Sequence, residues 1–422
     1  MMTSERALAQ GYGEAYVWIW LPGQAEPVVA GKLVSDAGRF IFNYGKSYLQ
    51  RANAIPIYAP ELPLQAGVLP LAGGLIMPNC IRDASPDAWG RRVLINRMLG
   101  LKGAGSDTAR LDELTYLLES GSDRIGALDF QLSPERYVPR HAVNVSLDEL
   151  LESAVRVENG IPLTPELDQA LYHGSSIGGA RPKALIDADN KKYIAKFSSG
   201  SDVYSVVKAE YLAMRLARLA GLNVAGVHLA KAAHKDVLLI ERFDRVHTGQ
   251  GWQRRCIVSA LTLLGLDELM ARYASYETLA EIIRHRFTSA PETLRELFSR
   301  LVFNILCGNT DDHARNHAAF WDGRMLSLTP AYDLCPQGRA GNEASQAMLI
   351  SGSNRMSSLA GCLDAAPQFL LSRSDAKEII AHQIQVMEGH WDAVCDEAQL
   401  SRIDRAVFWH RQFLNPYAFE GY

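Results

Sequence analysis

The sequence predicts an α+β protein in two lobes, with a mixed α/β N-terminal half and a mostly helical C-terminal half. Three observations carry this. Strand-type runs bounded by turn residues recur before residue 245. Leu294, Leu297, Phe298, Leu301, Val302 and Ile305 repeat at helical spacing. And 422 residues, 48% hydrophobic and 21% charged, suffice for two or three domains around a large core.

In chain order, residues 15–50 read as β-structure. Ala15 to Leu21, Val28 to Leu33 and Arg39 to Tyr44 form strand-like runs, and Pro22-Gly23 turns the chain. Pro86 suits the first turn of a helix opening at Ser85 to Arg92. Residues 110–135 and 146–157 read as helical at least in part. From about residue 170 the pattern becomes a hairpin. Lys183 to Ile186 and Tyr193 to Phe197 flank the turn composition Asp187-Ala188-Asp189-Asn190. A helix over 204–220 stops at Gly221, a strand follows at Asp236 to Glu241, and the polar segment 246–253 reads as a linker. Helices are expected at 258–273, 276–287, 375–396 and 399–413, with few strands among them.

Composition excludes little but is informative. A net charge of −4 gives no general attraction to nucleic acid or anionic membrane. No stretch approaches the ~20 apolar residues of a membrane span, and the N-terminus lacks a secretory pattern. The six cysteines show no paired zinc spacing and read as reduced thiols of a cytoplasmic protein.

The run Gly308-Asn309-Thr310-Asp311-Asp312-His313-Ala314-Arg315-Asn316 carries chemistry. Asp311 and Asn316 lie five residues apart, and Asp333 follows Asn316 by seventeen. Phosphoryl transfer from ATP needs one carboxylate to take the proton of an attacking hydroxyl. It also needs an Asn and a second carboxylate to hold Mg²⁺. Asp311 is read as the proton acceptor, with Asp312 as a competitor; Asn316 and Asp333 are read as metal ligands. His313 is read as steadying the loop.

Upstream lie two further parts. Ser175, Ser176, Ile177, Gly178, Gly179, Ala180 and Lys183 form a glycine loop whose small residues let backbone amides approach phosphates. Lys196, on an apolar strand, shares a face with Ile194 and is placed to hold phosphate. The competing role is that of an edge-strand lysine. Glu210 is the acid expected to pair with it. Glu241 to Phe243 lie where backbone groups would meet an adenine edge. A rival reading makes His313 and His317 zinc ligands of a hydrolase, which leaves the glycine loop and Lys196 unexplained.

These segments together resemble the HipA-type toxin kinases of bacterial toxin–antitoxin modules. The resemblance rests on Ser176 to Lys183, Ile194 to Phe197, Glu241 to Arg245, Thr310 to Asn316 and Tyr332 to Leu334. It extends to Val28 to Leu33, Phe42, Tyr44 and Pro86 to Gly90, and so to nearly the whole chain. It implies a two-lobed protein-kinase-like (HipA-like) fold, with 1–140 as a HipA-type N-terminal subdomain, 141–246 as an N-lobe-like region and 247–422 as a helical C-terminal lobe. It implies an ATP- and Mg²⁺-dependent Ser/Thr protein kinase with Asp311 catalytic, Asn316 and Asp333 on the metal, Lys196 on phosphate, and Glu241 and Phe243 at adenine. Autophosphorylation would fall on Ser176 or Ser175 and switch the enzyme off. The implied partners are a helix-turn-helix antitoxin (HipB-like), DNA through that antitoxin, and a protein substrate such as an aminoacyl-tRNA synthetase; none is a membrane. At Arg181-Pro182 the chain departs from the Gln-Glu of the best-known members. A non-catalytic corepressor and a small-molecule kinase are the alternatives.

Overall fold

The structure, a computed structural model, describes residues 11–99, 111–140, 146–159, 161, 167, 181–199, 202–339 and 341–422. Among them the chain builds three larger sheets and one hairpin, flanked by helices.

The first sheet has the order β3-β2-β1-β4 and is antiparallel throughout: β1 is Glu14–Ile19, β2 Val28–Asp36, β3 Arg39–Tyr44 and β4 Leu128–Gln131. Alternation decides its faces. Ala15, Val17 and Ile19 on β1 and Phe40, Phe42 and Tyr44 on β3 are buried in one core. Gly31 is required there, because a Cβ would sit 2.2 Å from the Asn43 carbonyl oxygen and 2.7 Å from the Phe42 ring. Helix α1 (Ala88–Leu99) and helix α2 (Glu113–Glu119) complete this part. The chain leaves α2 through Gly126 at φ 77° and enters β4, so only the start of the expected 110–135 helix forms.

The second sheet has the order β5-β6-β8-β7, with β5 Lys183–Ala188, β6 Lys191–Phe197, β7 Val227–Ala232 and β8 Lys235–Glu241. The β5–β6 turn places Asp189 and Asn190 at φ 50° and 57°, the left-handed pair a tight hairpin demands. Ala184, Ala195, Phe197 and Val237 pack against Leu150, Leu151, Ala154 and Val157 of helix α3 (Leu147–Glu158). Ser146 and Glu149 close a capping box at the start of α3. The opposite face carries Lys183 and Lys196, directly paired across β5 and β6. Strand β6 is interior to its sheet, so Lys196 is not an edge lysine: β8 pairs with it on the other side, Lys196 opposite Leu238. Helix α4 (Val206–Leu219) follows and ends before Gly221 at φ 86°.

Residues 245–254 correct the linker expectation. They form a hairpin of β9 (Arg245–Thr248) and β10 (Gly251–Arg254) turning through Gly249-Gln250. Its polarity reflects a two-stranded ribbon with much of its surface in solvent, not an absence of structure. Strands also persist beyond it. β11 (Ile257–Ser259), β12 (Ala318–Trp321) and β13 (Leu326–Leu328) form a small antiparallel sheet. The helix expected at 258–273 is interrupted at Gly265, φ 66°, leaving a short helix at 260–263 and a 3₁₀ segment at 268–273.

The rest is helical: α5 (Tyr276–Arg286), α6 (Ala290–Cys307), α7 (Leu359–Ala365), α8 (Arg373–Glu397) and α9 (Arg402–Phe408). The apolar stripe of α6 is buried along its length. Helix α9 is shorter than the expected 399–413, because His410 and Leu414 take φ 60° and 50°. Among the described residues no helix is long and apolar enough to cross a membrane. All six cysteines are free thiols, five of them buried.

One buried ion network ties the N-terminal sheet to the second. Asp123 Oδ1 accepts from Arg242 Nη1 and Arg245 Nε, each at 3.0 Å, and Asp123 Oδ2 accepts from Lys192 at 3.0 Å. Asp244 accepts from Arg242, from Arg245 and from the Gly126 amide at 2.8 Å. Burial alone would push the Asp123 carboxyl up; Arg242, Arg245, Lys192 and Arg254 reverse this and hold it well below the usual carboxylate range. Removing that acid leaves two buried guanidiniums without it. Asp123→Ala is expected to lower the unfolding free energy by about 3–5 kcal/mol in a urea titration; a loss under about 1 kcal/mol would contradict this role.

Candidate active site

Helix α6 ends at Gly308, φ 73°, where a Cβ would lie 2.6 Å from the Gln412 carbonyl oxygen. This stop turns the chain into residues 309–316, and Asp311 emerges at a helix-to-loop exit. Asp333 reaches the same place from the segment after β13, with its backbone at φ 59°. A left-handed Asp is uncommon and costs on the order of 1 kcal/mol or more, so the surrounding structure must hold it. Lys196 arrives from β6 and Glu210 from α4.

These side chains meet. Lys196 Nζ donates to Glu210 Oε1 at 2.6 Å and to Asp333 Oδ1 at 2.5 Å. One cleft of about 410 Å³ is lined by Lys183, Lys196, Glu210, Asp311, Asn316 and Asp333 together. The sheet lysine and the oxygen-bearing groups of the helical part therefore face a common space. Ile194, Ile240, Ile257, Phe243, Ala318 and Tyr332 line an apolar portion of it. The Phe243 ring lies 5.9 Å from Phe320 and 5.7 Å from Tyr332, an aromatic wall suited to a flat ligand.

Electrostatics set the protonation states. Burial opposes the charge on Lys196, but the Asp333 and Glu210 carboxylates outweigh it and raise its pKa. Burial also works against the Asp333 anion; Lys196 and Lys183 win, and its pKa falls to about 2. Glu210 moves the other way, raised mainly by burial and by Asp333 despite Lys196. Lys183 is 5% exposed, and burial with the like charge of Lys196 lowers its pKa to about 8. The sheet thus presents two buried ammonium groups side by side. Asp311 is raised by burial and by its neighbours Asp333 and Asp312, against the pull of His313. A raised carboxylate is a better proton acceptor.

The geometry separates Asp311 from Asp312. Asp312 is buried and engaged by the Tyr276 hydroxyl and by His317 Nε2, the latter at 2.9 Å. Its carboxylate is committed below the loop, and it does not pair with Arg315. Asp311 opens to the cleft. Asn316 Nδ2 donates to the Asp311 carbonyl oxygen at 3.1 Å, which leaves its Oδ1 as the end available to a cation. Asn316 Oδ1 and the Asp333 carboxylate are hard oxygen donors of the kind that would hold Mg²⁺. Among the described residues no three of His, Cys, Asp and Glu converge on one point. His317 Nε2 is taken by Asp312 and Tyr276, so the paired-histidine reading does not gain support.

Other residues differ from expectation. The Glu241 side chain pairs with Lys191 at 2.8 Å and its amide donates to the Gly226 carbonyl; the Arg242 amide donates to Lys192. Of the three amides expected at an adenine edge, that of Phe243 has no backbone partner among the described residues. His313 has a buried Nδ1 without a partner among the described residues, and it lines the cleft. Sequence reasoning left it out of the chemistry, although the Asp-x-His-x-x-Asn spacing marks it. Asp83, Asp87 and Arg315 also line the cleft and were missed, because their contacts join distant segments. Arg181, where the chain departs from its resemblance, pairs with Asp202 at 2.8 Å. Ser175, Ser176, Ile177, Gly178, Gly179 and Ala180 lie outside the described residues.

Known proteins resemble this chain along most of its length. Residues 19–131 match the HipA N-terminal domain and residues 175–391 the HipA-like C-terminal domain. The "Putative kinase Y4mE" of Sinorhizobium fredii is 28% identical over 349 residues, covering 75% of this chain and 76% of that protein. The serine/threonine-protein kinase toxin HipA of Shewanella oneidensis is 28% identical over 186 residues, covering 38% of this chain and 42% of that protein. A solved complex of Shewanella oneidensis HipA with HipB and its operator DNA superposes with a TM-score of 0.71, covering 97% of this chain and 98% of that one at 20% identity. The likeness to that structure is one of fold. The chain belongs to the HipA family and has its two-lobed α+β, kinase-like fold.

Proposed function

We propose that the chain is a Ser/Thr protein kinase that moves the γ-phosphate of ATP to a protein hydroxyl, as the toxin of a toxin–antitoxin module. The observation that carries this is the single cleft shared by Lys196, Asp311, Asn316 and Asp333. Lys196 and Lys183 supply positive charge for the phosphates, and Phe243 and Tyr332 flank the base. The acceptor oxygen attacks the γ-phosphorus, its proton passes to Asp311, and ADP leaves. Mg²⁺, held by Asn316 and Asp333, would neutralise the phosphate oxygens. Before nucleotide arrives, Lys196 and Asp333 neutralise each other at 2.5 Å. A bound phosphate would take the place of Asp333 on Lys196, and a cation would take the place of Lys196 on Asp333.

Membership of the HipA family supports further proposals. A phosphate on Ser176 would add nearly two negative charges to the glycine-loop sequence and is proposed to switch the enzyme off. A HipB-like antitoxin is the proposed partner, with DNA reached through it, and a translation protein such as an aminoacyl-tRNA synthetase the proposed target. The divisions 1–140, 141–246 and 247–422 are the proposed subdomain, N-lobe-like and helical units.

Two outcomes test this. With γ-labelled ATP, wild type is expected to place label on protein serine; Asp311→Asn loses transfer by at least about 100-fold while binding Mg-ATP within about twofold. Label appearing only on a small molecule would favour the small-molecule kinase, and no transfer by wild type would favour the corepressor. The second concerns protons. With Lys183 near pKa 8, triphosphate binding raises that value, so protons are taken up. Mg-ATP affinity therefore falls as pH rises through about 8. Calorimetry in two buffers of different ionisation enthalpy should show uptake of up to about half a proton at pH 8, absent in Lys183→Met.

A further inference from the structure

Several segments of the N-terminal subdomain line the cleft, and one of them, Asp83 to Trp89, bonds to the other two regions of the chain there. Asp83 accepts from the Ser259 amide, the Ser259 hydroxyl and the Thr262 hydroxyl, each at 2.7 Å, which pins the segment to the C-terminal lobe. Four residues on, Asp87 Oδ1 accepts from Arg315 Nη1 at 2.6 Å. Trp89 then turns inward, and its Nε1 donates to the Lys183 carbonyl oxygen at 3.2 Å. A single stretch of chain therefore touches the loop that carries Asp311 and Asn316, and also the first residue of the strand that follows the glycine loop.

Arg315 is the neighbour of Asn316 and lies in the short 3₁₀ turn 314–316. Its carbonyl accepts from the Tyr332 hydroxyl at 2.7 Å, beside Asp333. Its guanidinium also pairs with Glu268 at 2.6 Å, but the Glu268 side chain is 50% exposed against 28% for Asp87. Water screens the Glu268 contact more, so Asp87 is the stronger tether. On its other side the loop is held by Asp312, through Tyr276 and His317.

We infer that Asp87 and Trp89 are positioning residues. Asp87 fixes the Asp311–Asn316 loop through Arg315, Trp89 fixes the Lys183 end of β5, and the N-terminal subdomain is thereby a working part of the site. This rests on the kinase reading for its effect on turnover, but not for its effect on loop order. Reactive groups need placement within fractions of an ångström, and a shift of about 1 Å costs on the order of 100-fold. Asp87 touches no reacting atom in this scheme; it sets where Asp311 and Asn316 stand.

The test uses the full chain as wild type, Asp87→Asn, Asp87→Glu and Trp89→Phe. Amide hydrogen exchange of residues 308–317 reads loop order without any requirement for activity. Asp87→Asn is expected to speed exchange there about tenfold or more, with exchange in α6 and α8 unchanged. In turnover it should lower kcat about 10- to 100-fold with KM for ATP within about twofold, and Asp87→Glu should recover much of the loss. Trp89→Phe should instead raise KM for ATP about three- to tenfold with kcat nearly kept. Unchanged exchange at 308–317 in Asp87→Asn overturns the inference, as does exchange raised across the whole chain with a lowered unfolding midpoint. Should wild type show no phosphoryl transfer, the proposed function falls, and the exchange data alone decide whether Asp87 orders the loop.

Discussion

The bond pair that Lys196 makes with Glu210 and Asp333 is the constraint around which the molecule is arranged. A fully charged ammonium in a sheet interior costs several kcal/mol in lost hydration, and one carboxylate alone would scarcely offset it. Two do, and they come from different places in the fold: Glu210 from helix α4 and Asp333 from beyond the small C-terminal sheet. Satisfying one buried charge thus draws the sheet, its following helix and the helical lobe to a single point. Lys183 lies beside it with its pKa lowered to about 8 by burial and by the like charge of Lys196, a cost that a bound anion would relieve.

Other contacts make that convergence rigid. Helix α4 is anchored at its outer face, where Tyr211 and Arg215 both reach Glu397 at the end of α8, at 2.5 and 3.0 Å. Glu210, one residue before Tyr211, is therefore held toward Lys196 by a clamp on the neighbouring helix. The Asp123–Arg242–Asp244–Arg245 network does the same for the junction of β8 and β9, behind the aromatic wall formed with Phe243. The loop from 309 to 316 is held from below by Asp312 and from the side by Asp87. Fixed positions of this kind are what electrostatic stabilisation of a transferring phosphoryl group, the proposed reaction, requires.

What the sequence revealed and what it hid have physical reasons. The hairpin at 183–197 was legible because Asp189-Asn190 is a turn chemistry, and the face of Lys196 because strand side chains alternate. The stripe of α6 announced its own burial. Asp311, Asn316 and Asp333 could be picked out because their spacing is local. The interior position of β6 could not be read, since β8 joins it from forty residues away. The hairpin at 245–254 looked like a linker because a half-solvated ribbon has no apolar period. Gly265 hid a helix break inside a helical pattern. Asp83, Asp87 and Arg315 are ordinary surface residues by composition; only pairings across more than 100 residues make them parts of the site.

Lys183 and Lys196 are proposed to share one triphosphate with the acids of the helical lobe. An acyl-phosphate derivative of ATP, which transfers its acyl group to lysines at the phosphates, tests that most directly. Peptide mass analysis should find the label on Lys183 or Lys196, and excess Mg-ATP should remove it. Label confined to surface lysines, or label on these two that Mg-ATP leaves unchanged, would contradict the account.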